Sequence, residues 1–188
     1  MQSREIVESS GYSLAGSFTP DLVFSKLWLL QELNRIQPKI DRMYVLGAWY
    51  SNLAILARHF NQPCIKEIIN VETNSEFLHT GESILRGMGA QGVHFVRQDA
   101  NDLDYDVTDQ SVIVNTSLTD MQGRAWFDNI PAGTLVALQG RDHDPNRNFH
   151  SAGDIQRRFP LSTVLYHGAL ELEDPETPYS RVMTIGKK

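Results

Sequence analysis

The sequence predicts one α/β domain on a doubly wound, mostly parallel sheet with helices on both faces, and three observations carry that expectation. Short β-rich runs alternate with longer stretches of helical spacing through the middle of the chain. Strands joined by helices make right-handed crossovers, which sets them parallel in a sheet covered on both sides. Near residue 162 the rhythm changes to two strand-like runs separated only by turn residues, and so short a connection requires an antiparallel pair. Finally, 188 residues of which 41% are hydrophobic suffice for one sizeable core and fall short of two ordinary domains, with no repeat or linker at which to divide them.

Residues 1–18 are polar and small apart from isolated aromatics such as Tyr12 and Phe18, and read as an irregular arm that could fold over a ligand as a lid. A leading helix is expected within 19–37. Thr19 is its N-cap, Pro20 takes the first helical position and Asp21 faces the positive end of the dipole. Leu22, Val23, Leu27, Leu30 and Leu33 recur at helical spacing to about Arg35, and Pro38 stops the run. The next expected elements are a strand over 43–46, a helix over 52–60, a strand over 65–71, a helix over 75–88 ended by Gly89, and strands over 93–96 and 112–114. Thr119 and Gln122 have capping-box spacing, which predicts a helix from there through Trp126. A fifth strand is expected over 133–138. Ser151 and Asp154 form a second capping box, opening a short helix that closes before Pro160. The terminal strands span 162–170 and 181–185.

Composition excludes several classes of function. With 17 Lys+Arg against 23 Asp+Glu the chain carries −6 formal charges, which argues against bulk nucleic acid as a partner. No apolar stretch reaches the roughly 18 to 20 residues of a membrane span, and the N-terminus MQSREIVESS has charges where a signal peptide would be apolar. The expectation is a cytoplasmic protein. The single cysteine, Cys64, rules out an internal disulfide and reads as a small buried apolar side chain. Oligomeric state is left open.

In doubly wound sheets ligands bind at the carboxyl ends of the strands, near the point where strand order reverses. The segments to weigh are therefore 47–52, 72–75, 99–102, 115–119 and 139–144. After the first strand, Gly47, Ala48, Trp49, Tyr50 and Ser51 make a tight turn before a helix start, where free N–H groups favour an anionic ligand. Glu72, about 25 residues after Gly47, heads the second strand tip with Thr73. A carboxylate there can accept two hydrogen bonds from a ribose diol. Asp99, Ala100 and Asn101 follow the third strand, where an acid and neighbouring backbone can meet an adenine edge.

The stretch Ile69-Asn-Val-Glu72-Thr-Asn-Ser-Glu76-Phe-Leu78, followed by Gly87-Met-Gly89-Ala-Gln-Gly-Val93-His-Phe-Val96-Arg-Gln-Asp99-Ala100-Asn-Asp-Leu103, resembles class I S-adenosylmethionine-dependent methyltransferases. The resemblance runs from about Asp41 to the C-terminus. It implies a seven-stranded sheet of order 3-2-1-4-5-7-6 with strand 7 antiparallel, S-adenosylmethionine as cofactor, Glu72 on the ribose hydroxyls and Asp99 with Ala100 on the adenine. The first loop departs from the family, having one glycine and two large aromatics. Similar Gly-x-Trp-Tyr-Gly loops occur in small, often phage-encoded, methyltransferase-like proteins. The family's Asn/Asp-Pro-Pro-aromatic motif of nucleic-acid amino-methylation is replaced by Asn115-Thr116-Ser117-Leu118, which lowers base N-methylation and leaves small-molecule, nucleotide and protein acceptors open.

Asn115 occupies the position from which family members touch the methionine portion or the acceptor. Its amide could orient an amine or hydroxyl without proton chemistry of its own, a local backbone bond being the structural alternative. His143, in Arg141-Asp142-His143-Asp144 at the fifth-strand end, is the candidate general base or substrate contact. The same cluster with His150 holds metal-ligand types but lacks further carboxylates beyond Asp120, so no metal is assigned. The expected function is methyl transfer to an unidentified acceptor. Its rivals are aminocarboxypropyl or aminopropyl transfer from an adenosyl sulfonium, and a non-catalytic binding scaffold.

Overall fold

Alternation along the first strand sorts its side chains onto two faces: Ile40, Met43 and Val45 enter one buried cluster, Tyr44 and Leu46 the other. A strand apolar on both faces belongs in the middle of a covered sheet. The computed structural model, which describes residues 13–142, 149–172 and 179–188, places it there. Seven strands form one sheet in the order β3-β2-β1-β4-β5-β7-β6. They are β1 (Lys39–Leu46), β2 (Cys64–Glu72), β3 (Val93–Arg97), β4 (Ser111–Asn115), β5 (Leu135–Arg141), β6 (Thr163–Leu172) and β7 (Tyr179–Lys187). β1 to β5 are parallel; β7 runs antiparallel to both β5 and β6. The order and the antiparallel strand are those the sequence implied.

Among the described residues five α-helices cover the sheet: α1 (Pro20–Ile36), α2 (Asn52–Phe60), α3 (Ser75–Gly87), α4 (Ala125–Asp128) and α5 (Ala152–Arg158). Leu29, Leu30 and Leu33 of α1, the apolar side of α2 and Leu85 of α3 pack on the Met43/Val45 face with Ile68, Val112, Val114 and Ala137. The opposite face carries Trp126, Phe127, Phe149, Ile155 and Phe159 against Ile113, Val136 and Leu138. Within that aromatic group Trp126 and Phe127 lie 5.0 and 5.2 Å from the Phe159 ring, contacts worth about 0.5–1.5 kcal/mol each beyond simple burial. Among the described residues no helix is long and apolar enough to cross a membrane.

Local signals held unevenly. The Ser151/Asp154 capping box forms, with Ser151 Oγ accepting from Asp154 N–H and Asp154 Oδ2 from Ser151 N–H. Thr19 sits at the N-cap position of α1 but makes no capping bond to the helix backbone. No helix starts at Thr119. The N–H groups of Asp120 and Met121 both donate to the Ser117 carbonyl in a turn, and Gly123 breaks any continuation with φ +77°. Helix α4 is therefore one turn long, and its Trp126 N–H donates to Asn101 Oδ1 from a distant loop. β5 starts at Leu135 rather than residue 133, because Gly133 turns with φ +82°. Cys64 is exposed, contrary to expectation: it opens β2 at the amino-terminal rim, ahead of the stretch that α2 covers.

Gly140 in β5 lets the Phe149 ring lie directly on the sheet, since a Cβ there would fall 2.6 Å from its Cδ2. Phe149 is buried and boxed by Phe159, so it has nowhere to retreat. Gly140→Ala is expected to lower stability by about 1–3 kcal/mol in urea denaturation, the ordinary cost of overpacking a filled core.

Candidate functional site

Registry brings the strand tips level. Leu46 pairs with Val71 on one side and Asn115 on the other, so the loops after β1, β2 and β4 begin at one height. Strand order reverses between β1 and β4, which makes this the switch point of the sheet.

The loop after β1 is strained. Gly47 has φ +61°, and Trp49 and Ser51 hold φ +50° and +58°, a region that costs ordinary residues roughly 1–2 kcal/mol. Gly81 on α3 makes room for this path, because a Cβ there would lie 2.7 Å from Ser51 Oγ and 2.8 Å from the Tyr50 carbonyl. Tyr50 turns inward onto the Phe77 ring, 4.7 Å away, and is buried with Ala48 and Ser51.

Glu72 fixes the loop from the neighbouring strand. Its Oε2 accepts Trp49 N–H at 3.0 Å, while Oε1 accepts Thr73 N–H at 2.9 Å and Asn74 N–H at 3.0 Å. A buried carboxylate needs such donors to remain charged. Asp99 uses Oδ1 for both Asn101 N–H and Asn101 Nδ2, each at 2.9 Å, and caps the 3-10 turn Ala100–Asp102. Its Oδ2 accepts no hydrogen bond among the described residues.

Gly47, Trp49, Val71, Glu72, Thr73, Asp99, Ala100 and Asn101 together line one cavity of about 350 Å3, closed on the far side by Ser117 and Met121. Of the residues singled out in the sequence, Ala48, Tyr50, Ser51 and Asn115 do not line it. Asn115 is fully buried and spent on local structure: Oδ1 accepts Ser117 N–H at 2.9 Å and Nδ2 contacts Met121 Sδ at 3.0 Å. It shapes the loop that walls the cavity rather than facing a ligand. His143 lies outside the described residues. Asp142 is tied to β7, accepting Ser180 N–H at 2.8 Å.

A smaller lobe of about 60 Å3 adjoins this cavity, sharing Gly47, Trp49, Ser117 and Asp120 with it. Leu22 and Lys26, one helical turn apart on α1, form one wall, and Arg141 and Arg181 another. Burial, reinforced by the charge of Arg181, pushes the Lys26 amine down to about 7. Burial likewise lowers the Arg181 guanidinium. Beside them, burial works against the charge of Asp21, but hydrogen bonds from Thr19, Tyr179 and the backbone outweigh it and hold its pKa below the ordinary value.

No protein-family model matches the chain, and no curated protein matches it in sequence. Solved structures match it in fold. The N-methyltransferase NodS from Bradyrhizobium japonicum WM9, in complex with S-adenosyl-L-homocysteine, superposes with a TM-score of 0.69 at 12% identity, over 92% of this chain and 91% of that one. A precorrin-6y C5,15-methyltransferase from Geobacter metallireducens GS-15 gives 0.57 at 17% identity over 85% and 86%, and an rRNA methylase from Streptococcus thermophilus 0.56 at 13% over 90% and 98%. The chain has the fold of class I methyltransferases.

On this fold the sequence reading named the cavity residues at the tips of β1, β2 and β3 but missed Lys26 and Arg181 in the adjoining lobe. Lys26 sits in an amphipathic helix where a lysine reads as solvated, and Arg181 in a strand with no motif around it. Only their burial singles them out. Ser51 is a different case: its left-handed backbone and a buried Oγ without a hydrogen-bond partner mark a position suited to glycine.

Ser51→Gly is expected to raise stability by about 0.5–1 kcal/mol in urea denaturation, the relief of strain exceeding the extra entropy of the unfolded chain. The Lys26 amine titrates near 7 when folded and near 10.5 when unfolded, so between those values the unfolded chain binds the extra proton. Its contribution to stability must rise with pH across that window and stay level below it. Lys26→Met should remove that rise, read as the difference between wild-type and variant melting curves from pH 7 to pH 10.

Proposed function

We propose that this chain binds S-adenosylmethionine across the tips of β1, β2 and β3 and transfers its methyl group to an acceptor entering from the α1 side. The observation that carries this reading is Glu72: a buried carboxylate on the wall of a cavity at the sheet's switch point, whose Oε2 accepts, among the described residues, one hydrogen bond, from Trp49 N–H. An oxygen in that state has a lone pair left for a sugar hydroxyl.

The residues present fit an adenosyl group. About 350 Å3 lies within the range of small-molecule pockets, and the lining alternates carboxylates with Val71, Ala100 and Met121. Asp99 Oδ2 is available to accept an exocyclic amine, and Ala100 offers a small apolar floor for a flat ring. When bound, S-adenosylmethionine would supply a sulfonium-activated methyl carbon open to in-line attack by an acceptor lone pair, the carbon–sulfur bond breaking to release S-adenosylhomocysteine. The chain's task is then to hold, orient and dry the reactants, which needs no general base when the acceptor is a good nucleophile. Trp49 lines both lobes and is placed to exclude water between them.

Isothermal titration with S-adenosylhomocysteine should show binding, and Glu72→Ala should weaken it by about 1.5–3 kcal/mol while circular dichroism confirms the fold. Tryptophan emission should change in the same titration and stay silent in Trp49→Phe. With an acceptor supplied, methyl transfer releases S-adenosylhomocysteine, whereas aminocarboxypropyl or aminopropyl transfer releases methylthioadenosine. A partner-binding scaffold yields neither, and absence of any adenosyl binding would overturn the proposal.

A further inference from the structure

Arg141 and Arg181 occupy directly opposed positions on β5 and β7, an arrangement that is unfavourable for like charges on adjacent antiparallel strands. Lys26, whose amine is held near 7 by burial and which a bound anion would draw back to its charged form, adds a third donor to the same lobe. Their only carboxylate among the lining residues is Asp120, 3.8 Å from Arg141 and shared with the larger cavity. Lys26 and Arg181 are each only 6% exposed. Neither has an ion-pair partner among the described residues, and Arg181 reaches a backbone carbonyl, Thr116 O at 3.3 Å, and the Tyr179 side chain instead. The Nε atoms of both arginines are buried without a hydrogen-bond partner among the described residues. A buried donor left without an acceptor costs about 1–3 kcal/mol, more where the group is charged. These two arginine donors, with the buried Lys26 amine beside them on one lobe of a chain of net charge −6, form a preorganised site for an anion.

We infer that this lobe binds a doubly charged anionic group on the acceptor, a phosphate monoester or a pair of carboxylates on a small molecule. The inference rests on the methyl-transfer reading, since it assigns the lobe to the molecule that meets the methyl group. The lobe's 60 Å3 equals about two waters at their liquid volume of roughly 30 Å3, so it admits one compact anionic group rather than a polymer backbone. The cofactor's own amino-acid end is a poor match, because its carboxylate travels with an ammonium that the two guanidiniums would repel. The forked donors of Arg141 and Arg181 suit a planar or tetrahedral oxyanion, and Lys26 closes the third side as a point charge. Leu22, on the same wall as Lys26, keeps part of the lining apolar, which strengthens the attraction by excluding water.

The test is calorimetric titration of the full chain with inorganic phosphate and, separately, malonate, each with and without saturating S-adenosylhomocysteine. At least one anion should bind, retain its affinity when S-adenosylhomocysteine is present, and weaken by roughly tenfold or more in Arg141→Gln and in Lys26→Met. Whichever of the two probes binds more tightly identifies the phosphate or the dicarboxylate form. Both variants are chosen to keep the fold, which their melting curves verify; Arg141 is half exposed at its side chain and Lys26→Met replaces a buried cation by an apolar group of similar length. Competition between anion and S-adenosylhomocysteine would overturn the inference by giving the lobe to the cofactor. Failure of both anions to bind, or equal binding by the variants, would overturn it outright. Anion binding by a protein that shows no affinity for S-adenosylhomocysteine would overturn the acceptor assignment through the methyl-transfer reading, a result distinct from failure of the lobe itself.

Discussion

One buried carboxylate joins the two loops on which the cavity depends. Glu72 takes hydrogen bonds from Trp49 on the β1 loop and from Thr73 and Asn74 on its own, so the two strand tips are locked at a fixed separation. The β1 loop would not hold its path unaided, because Trp49 and Ser51 sit in left-handed conformations that ordinary side chains avoid. The Glu72 side chain thus has a structural part in the loop whatever it binds. All of its described partners are donors, which leaves the group nothing but acceptor capacity to present to a ligand.

The fold also concentrates positive charge where a hydrophobic core would be cheaper. Arg181 and Lys26 lie among residues that elsewhere on β7 and α1 are apolar: Val182 and Met183 on the strand, Leu29 and Leu30 on the helix. The rest of the sheet is packed tightly enough to carry that burden, with Ile113, Val136 and Leu138 wholly buried beneath the aromatic group of Trp126, Phe127 and Phe159. Strain at the β1 loop and uncompensated charge beside it meet in the same cleft, a coincidence expected of functional sites rather than of a packing optimum.

Much of the fold was legible in the sequence because period and punctuation agreed with tertiary packing. The helix over Asn52–Phe60 appeared with its observed bounds, and the terminal hairpin was forced by a connection too short for a crossover. The failure at Thr119 is instructive: hydroxyl and amide stood at capping-box spacing, yet Gly123 and the tethers on Met121 and Asn115 gave that segment a different task, walling the cavity. Cys64 misled for a related reason, since strand ends at the amino-terminal rim lack the helix cover that buries strand middles. In the site, Glu72 and Asp99 were visible through their offsets from strand ends. Lys26 and Arg181 were not, because burial of a cation follows from how α1 crosses β5 and β7, and no one-dimensional pattern encodes that crossing.

The field in the small lobe bears on how an acceptor would be activated. Desolvation first, and Arg181 second, bring the Lys26 amine down to about 7, some three units below an exposed lysine. An amine at the mouth of the lobe, beyond the anion held inside it, would be desolvated in the same way, and desolvation favours its neutral form. A neutral amine has the free lone pair that displacement at a sulfonium carbon requires, so the burial that depresses Lys26 would also favour an unprotonated nucleophile, while the acceptor's own anion offsets the charge of the arginines. On the proposed reading such a cleft would need no dedicated base for an amine: the proton would be lost to solvent before the acceptor is enclosed, and burial would disfavour its return. The same reasoning limits the chemistry, since a hydroxyl acceptor, whose proton leaves only with assistance, gains from the field but still needs a group to receive that proton.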